Sequence, residues 1–181
     1  ADAVNQAVAD GTTKIQSDYK PGKSLNDQKT AAKDNLEAEA TKVKNDIDND
    51  PTLTQADKDQ QKANVDSTKA ADQAKIDAAT TPDDVKNAYN KGVADIDAQH
   101  VPGKTVNDQK ADAKKAVEDE AAKTKDAINN DPTLSQGDKD KQNQAVDNAK
   151  NNAESNIDKA TTADGINNAR DNGKSDINAQ H

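Results

Sequence analysis

The residues of this chain predict an all-α fold: tandem up-down-up three-helix bundle repeats of 81 residues, forming an elongated rod. Three observations carry this. The chain repeats itself, and its apolar residues recur at spacings of three and four. Each expected helix also opens on a hydroxyl residue followed three places later by an acid, with one exception.

Residues 20–100 align with 101–181 at a fixed offset, with roughly half of the positions identical. Pro21-Gly22-Lys23 returns as Pro102-Gly103-Lys104, and Asn26-Asp27-Gln28-Lys29 as Asn107-Asp108-Gln109-Lys110. Asp50-Pro51-Thr52-Leu53 returns as Asp131-Pro132-Thr133-Leu134, and Ala98-Gln99-His100 as Ala179-Gln180-His181. The match extends backwards, since Val4, Ala7, Gly11 and Ile15 align with Val85, Ala88, Gly92 and Ile96. The expected organisation is the last helix of a truncated preceding repeat over 1–19, then full three-helix units over 20–100 and 101–181.

The helix starts come next. Ser24…Asp27, Thr54…Asp57 and Thr81…Asp84 open the three helices of the first unit; Thr105…Asp108 and Ser135…Asp138 open two in the second. A hydroxyl at this place accepts from an orphan backbone N–H, and the acid suits the positive end of the helix. Asp is shorter than the usual Glu or Gln, so imperfect boxes are expected. The exception, Thr162…Gly165, lacks the acid and is expected to fray more readily. Pro82 follows Thr81 at the first helical position, where its missing N–H is harmless.

Along the first helix the apolar stripe reads Leu25, Ala32, Leu36, Ala40, Val43 and Ile47, and in its copy Val106, Ala113, Val117, Ala121, Thr124 and Ile128. The second helix shows Val65, Ile76 and Ala79, then Val146, Ala149, Ala153, Ile157 and Ala160. The third shows Val85, Ala88, Gly92 and Ile96, then Ile166, Ala169, Gly173 and Ile177. Asp72 falls on the stripe where the copy has Ala153, and the sequence offers no account of it. Leu53 and Leu134 precede their caps and are expected to plug the bundle ends. The first two helices of a unit should run to about 25 residues and the third to about 18. Short connections favour antiparallel neighbours. Three helices put the two ends of a unit at opposite poles, and Pro-Gly at 21–22 and 102–103 would form the joints. Gly11, Gly92 and Gly173 share one place in the third helix, where a glycine costs about 1 kcal/mol relative to alanine. Close helix approach is the leading reading; a weak point that lets the rod bend is the other.

Composition sets the limits. Hydrophobic residues make up 30% of the chain and charged residues 33%, so a thick core is out of reach and a thin bundle is not. Tyr19 and Tyr89 are the only aromatic residues, and the net charge is −9. An acidic chain without a basic stripe or aromatic platform argues against nucleic acid. No apolar run approaches the roughly 20 residues needed to cross a bilayer, so membrane insertion is not expected. Cysteine is absent, which fits an extracellular protein without disulfides and a cytosolic one equally. No export signal or wall-sorting motif lies within these residues, and the sequence reads as a monomeric fragment of a longer chain.

Candidate chemistry falls away on inspection. Gly22-Lys23-Ser24 and Gly103-Lys104-Thr105 look like the end of a phosphate loop, but the glycine five positions earlier is Ser17 or Ala98, and no strand precedes. Asp46, Asp48 and Asp50, with Leu53 and Asp57, mimic the spacing of a calcium loop. Pro51 occupies the glycine position, Asp57 replaces the bidentate Glu, and the copy has Ala127 where the first carboxylate belongs. His100 and His181 lie one repeat apart with no second ligand at metal spacing, and read as surface histidines at helix ends. Tyr89 becomes Arg170 in the copy, which suggests local packing. No catalytic, cofactor-binding or metal residue is assigned, no cofactor or small-molecule substrate is expected, and an enzyme is not expected.

These residues nonetheless carry a likeness. After Asp-Pro-Thr-Leu a capped Ala/Lys/Asp helix ends in Ile-Asp-x-Ala-Thr-Thr, and a last helix closes on Gly-x3-Ile. Asn49-Asp50-Pro51-Thr52-Leu53, Ala79-Thr80-Thr81 and their copies are its most specific parts. Across essentially its whole length the chain resembles the tandem domain-of-unknown-function helical repeats of Gram-positive cell-wall-anchored surface proteins, common in staphylococcal and lactobacillal adhesins and aggregation factors. The resemblance implies extracellular display at the bacterial cell surface, three-helix units in long arrays, and roles in adhesion, aggregation or biofilm formation. It supplies no catalytic residues.

The expected function is therefore a structural spacer, a stalk that projects a distal binding domain from the cell wall. The alternative makes each repeat an adhesive module that binds a host or bacterial-surface protein through a helix face and gains strength by multivalency. That alternative expects an exposed patch recurring in both copies, whereas Val93 becomes Lys174 and Tyr89 becomes Arg170. A third class, a hydrophilin-like stress protein, would be disordered in dilute buffer.

Overall fold

A computed structural model describes the backbone of residues 2–18 and 22–181 and the side chains of 2–10 and 22–181. Tyr19, Pro21, the side chain of Ile15 and the surroundings of Gly11 lie outside the described residues. The described residues form seven helices and no strand: α1 (Asp2–Asp18), α2 (Leu25–Asp48), α3 (Gln55–Ala78), α4 (Pro82–Asp97), α5 (Val106–Asn130), α6 (Gln136–Lys159) and α7 (Ala163–Asn178).

All six expected caps form. Ser24, Thr54, Thr81, Thr105, Ser135 and Thr162 each accept a hydrogen bond from the backbone N–H three residues on. Only Thr54 completes the reciprocal box, with Asp57 Oδ2 accepting from the Thr54 N–H at 3.2 Å. Thr162 caps α7 without an acid's help, accepting from Gly165 N at 3.2 Å. The third helices are slightly shorter than expected, at 16 residues each.

Helices α2, α3 and α4 pack on one another, as do α5, α6 and α7. Lysines tie the start of one helix to the end of the next. Lys29 Nζ donates to the Asp77 carbonyl at 2.8 Å and Lys33 pairs with the Asp77 carboxylate at 2.7 Å. In the second unit Lys110 and Lys114 repeat both contacts on Asp158, at 2.8 and 2.6 Å. At the other end, Lys44 meets Asp66 at 2.8 Å and Lys62 meets Asp48 at 2.7 Å. The first two helices of a unit are thus antiparallel. Such exposed pairs are worth about 1 kcal/mol or less apiece, so they set register more than stability.

Each unit has its own core. In the first, Ala32, Leu36, Ala40, Val43, Ile47, Leu53, Val65, Ile76, Ala79, Val85 and Ile96 are buried together. The second gathers Ala113, Val117, Ala121, Ile128, Val146, Ala153, Ile157, Ile166 and Ile177. The expected stripes are these cores, with Leu25, Val106, Ala88, Ala149, Ala160, Ala169 and the end plug Leu134 at their margins. Thr124, on the stripe where its counterpart is Val43, donates to Asn178 Oδ1 at 3.0 Å and so enters the core satisfied.

The glycines of the third helices mark close approach. A Cβ built on Gly173 would lie 2.4 Å from Ala153 Cβ, and one on Gly92 would lie 3.1 Å from Asp72 Cβ and from both Leu36 methyl carbons. Asp72 is 1% exposed. Its Oδ1 pairs with Lys75 at 2.6 Å, while its Oδ2 is buried without a partner.

Candidate functional site

Two like units meet pole to pole, and the place where they meet carries a dense set of hydrogen bonds among the described residues. It begins with a local feature of the sequence. Asp50 follows the end of α2, and Pro51 bends the chain back so that the Thr52 N–H and hydroxyl both donate to Asp50 Oδ1, at 2.8 and 2.6 Å. This is an Asx-type turn, the local bonding for which Asp is suited. The other carboxylate oxygen faces His100 Nε2 at 2.9 Å, which draws the end of α4 to the same pole. Burial pushes the Asp50 carboxyl up, but the Thr52 hydroxyl and amide and the His100 ring outweigh it and hold it below the ordinary value.

His100 is therefore not the bare surface residue expected at a helix end; it is half-buried and tied to Asp50. The second unit repeats the arrangement. Thr133 N and Oγ1 donate to Asp131 Oδ1 at 2.7 and 2.6 Å, and His181 Nε2 stands 3.3 Å from Asp131 Oδ2. There the Thr133 hydroxyl is the main cause that holds the Asp131 carboxyl low, helped by its amide and by His181. The signal for this contact was present in the sequence, since Asp and His recur together at the same spacing in both copies.

On this turn the second unit is mounted. Gly103 N–H donates to Thr52 Oγ1 at 2.8 Å, and Gln109 Nε2 donates to the Thr52 carbonyl at 2.8 Å. Ala163 N–H, the first of α7, donates to the Pro51 carbonyl at 2.9 Å. Asp164 Oδ2 accepts from the Gln55 N–H at 2.8 Å, so the start of α7 also satisfies an orphan donor at the start of α3. Gln61 and the Val101 backbone exchange a further pair, at 2.8 and 3.1 Å. The expectation of a Pro-Gly joint is met at Gly103, where an added Cβ would stand 2.4 Å from the Thr52 carbonyl oxygen. The receiving residues, Pro51 and Thr52, were read from the sequence only as a connection between helices. Ala163, 1% exposed, was not on the expected stripe, and its bond to the Pro51 carbonyl sets it at the joint.

The remaining candidates are occupied otherwise. Ser24 and Thr105 in the phosphate-loop look-alikes are helix caps. In the calcium look-alike Asp48 pairs with Lys62, Asp50 closes its turn, and Asp57 completes the Thr54 box. Among the described residues no group of three or more His, Cys, Asp or Glu is placed to hold a metal ion. Tyr89 packs against the first core and borders an open groove of ≈ 270 Å³ with Lys23, Gln28, Pro82 and Val85. None of these brings together a nucleophile, a base and a pocket. No helix among the described residues is long and apolar enough to cross a membrane.

Comparison with known proteins agrees with the repeat. A search of curated proteins and one of solved structures each returned no match. The profile of a family described as Domain of Unknown Function (DUF1542) matches twice in tandem, over residues 28–104 and 109–181. With those two matches spanning most of its length, the chain belongs to the DUF1542 family, a domain known from repeats in Gram-positive surface proteins.

Proposed function

We propose that these units are a structural spacer: a stalk of a bacterial cell-surface adhesin that holds a distal binding domain away from the cell wall, outside the cell, and works without catalysis. The observation that supports this most is the end-to-end mounting of two like units, each with a separate core, through a joint built from residues both units possess. Length accumulates unit by unit in such an arrangement. The competing reading, an adhesive module in every repeat, needs a surface common to both units. The groove beside Tyr89 has Arg170 at the corresponding place in the second unit, so it does not recur in kind.

Small-angle scattering on chains of one, two and three units tests the proposal. Maximum dimension should rise by a nearly constant step, on the order of 40 Å per unit from helix length. A particle whose maximum dimension fails to grow would defeat it, and saturable binding of a surface protein that scales with unit number would favour the module.

A further inference from the structure

A joint between repeats can be a loose linker or a fixed mount, and the contacts here point to the second. We propose that the Asp-Pro-Thr turn at the end of each first helix is a preformed socket for the leading pole of a following unit, and that it locks the angle and twist between the two. The proposal concerns geometry, so it stands or falls separately from the spacer role.

Four features carry it. First, the incoming unit is gripped at three separate places: the approach to α5 through Gly103, the first turn of α5 through Gln109, and the start of α7 through Ala163 and Asp164. Contacts from two different helices fix rotation, which a single tether cannot do. Second, Thr52 is held before it grips. Its hydroxyl proton goes to Asp50, which leaves the oxygen lone pairs aimed at Gly103 N–H. Third, the same turn forms at Asp131-Pro132-Thr133 in the second unit, with bonds of 2.7 and 2.6 Å, and in both units it is closed by residues of that unit alone. The socket is thus organised in advance, which lowers the ordering cost of docking. Fourth, the plug side is organised too: Gln109 Nε2 also donates to the Lys104 carbonyl at 2.7 Å, and Gln28 Nε2 does the same to Lys23 at 2.9 Å in the first unit.

The first unit differs from the second at one plug position. Pro82 stands where Ala163 stands, and it has no N–H to give to a Pro51-type carbonyl. The chain therefore supplies its own test variant, since Pro82 shows that proline is compatible with the first position of this helix.

The absence of cysteine allows clean spin labelling at Ser67→Cys in α3 and Glu118→Cys in α5, both exposed and on the order of 40 Å apart by helix rise. Electron double resonance on the labelled chain should give a single narrow distance peak. The double variant Thr52→Val/Ala163→Pro should lose that single peak, and so should Gln109→Ala, which leaves the turn and α7 untouched, while helicity by circular dichroism stays unchanged in both. A broad distribution in the parent chain would overturn the proposal. So would a narrow peak that survives both variants.

Discussion

Gly173 and Ala153 stand so close that a Cβ built on the glycine would lie 2.4 Å from the alanine's own. The glycine lets α7 settle onto α6, and that answers why a residue poor in helix propensity sits in the middle of α7. The neighbouring atom is bound directly to the backbone and has no rotamer with which to retreat.

Gly173→Ala should therefore destabilise the second unit by about 1–2 kcal/mol, since overpacking exceeds the gain in helix propensity. Gly92→Ala should cost less, about 0–1 kcal/mol, because its approach to Asp72 Cβ is wider, at 3.1 Å, and the Leu36 methyls at the same distance can rotate aside. Amide exchange, read unit by unit, measures both. Slower exchange in the Gly173 variant would show that the crossing is not tight.

Asp72 marks a place where the first unit is less well made than the second. A buried carboxylate with one oxygen unpaired carries a desolvation penalty that a single lysine does not recover. Asp72→Ala, which copies Ala153, should stabilise the first unit by about 1 kcal/mol. A thermal melt followed by helical circular dichroism is the readout, with only two tyrosines to offer fluorescence. A lower melting temperature would mean that the Asp72–Lys75 pair is needed to hold α3.

The end of α4 carries a pH dependence of one sign. Loss of water around Asp97, and then its hydrogen bond and charge contact with Glu39, push its carboxyl above the ordinary value. A raised carboxyl favours the protonated form in the fold, so its contribution to stability is fully present at low pH and is lost as pH rises through the folded value. In the second unit Asn178 takes this place and bonds Thr124 without a second charge. Asp97→Asn should then stabilise the first unit at pH 7 by about 0.5 kcal/mol or less, with the gain vanishing near pH 4. Melts at the two pH values decide it; an equal gain at both would show that repulsion is not the cause.

Asp50 carries the opposite sign. Its carboxyl is held low, so its contribution is present above the ordinary value of 3.8 and is lost as pH falls through the folded value. Asp50→Asn keeps one oxygen for the Thr52 amide and hydroxyl but removes the charge and puts an NH2 where the second oxygen faces His100, and should cost the first unit about 0.5–1.5 kcal/mol at pH 7. Variant and parent should draw together only as pH falls below the ordinary value of 3.8 and on through the lower folded value. Denaturant unfolding across that range checks both statements, and a constant gap at all pH values would contradict them.

Much of this architecture was legible because it is local. The caps at Ser24, Thr54, Thr81, Thr105, Ser135 and Thr162 depend on residues three apart, and the stripes on residues three and four apart, so the sequence displays them directly. Burial of Asp72 followed from its register, though not its pairing. What escaped depends on residues far apart in the chain. The bond from Ala163 to Pro51 joins two units, and no periodicity announces it. His100 looked solvent-exposed because its partner lies 50 residues away, and only the recurrence of Asp131 with His181 hinted at the tie. Thr52 lies in the short connection between the first two helices, and its second duty, toward Gly103, arises only when a neighbour arrives.

The two cores share no residue, and a set of hydrogen bonds joins one unit to the other. If the units act as the proposed stalk, tension along it meets no continuous hydrophobic seam to unzip. One segment can rupture and heal while its neighbour stays intact, which gives a pulled strand stepwise give in place of outright failure.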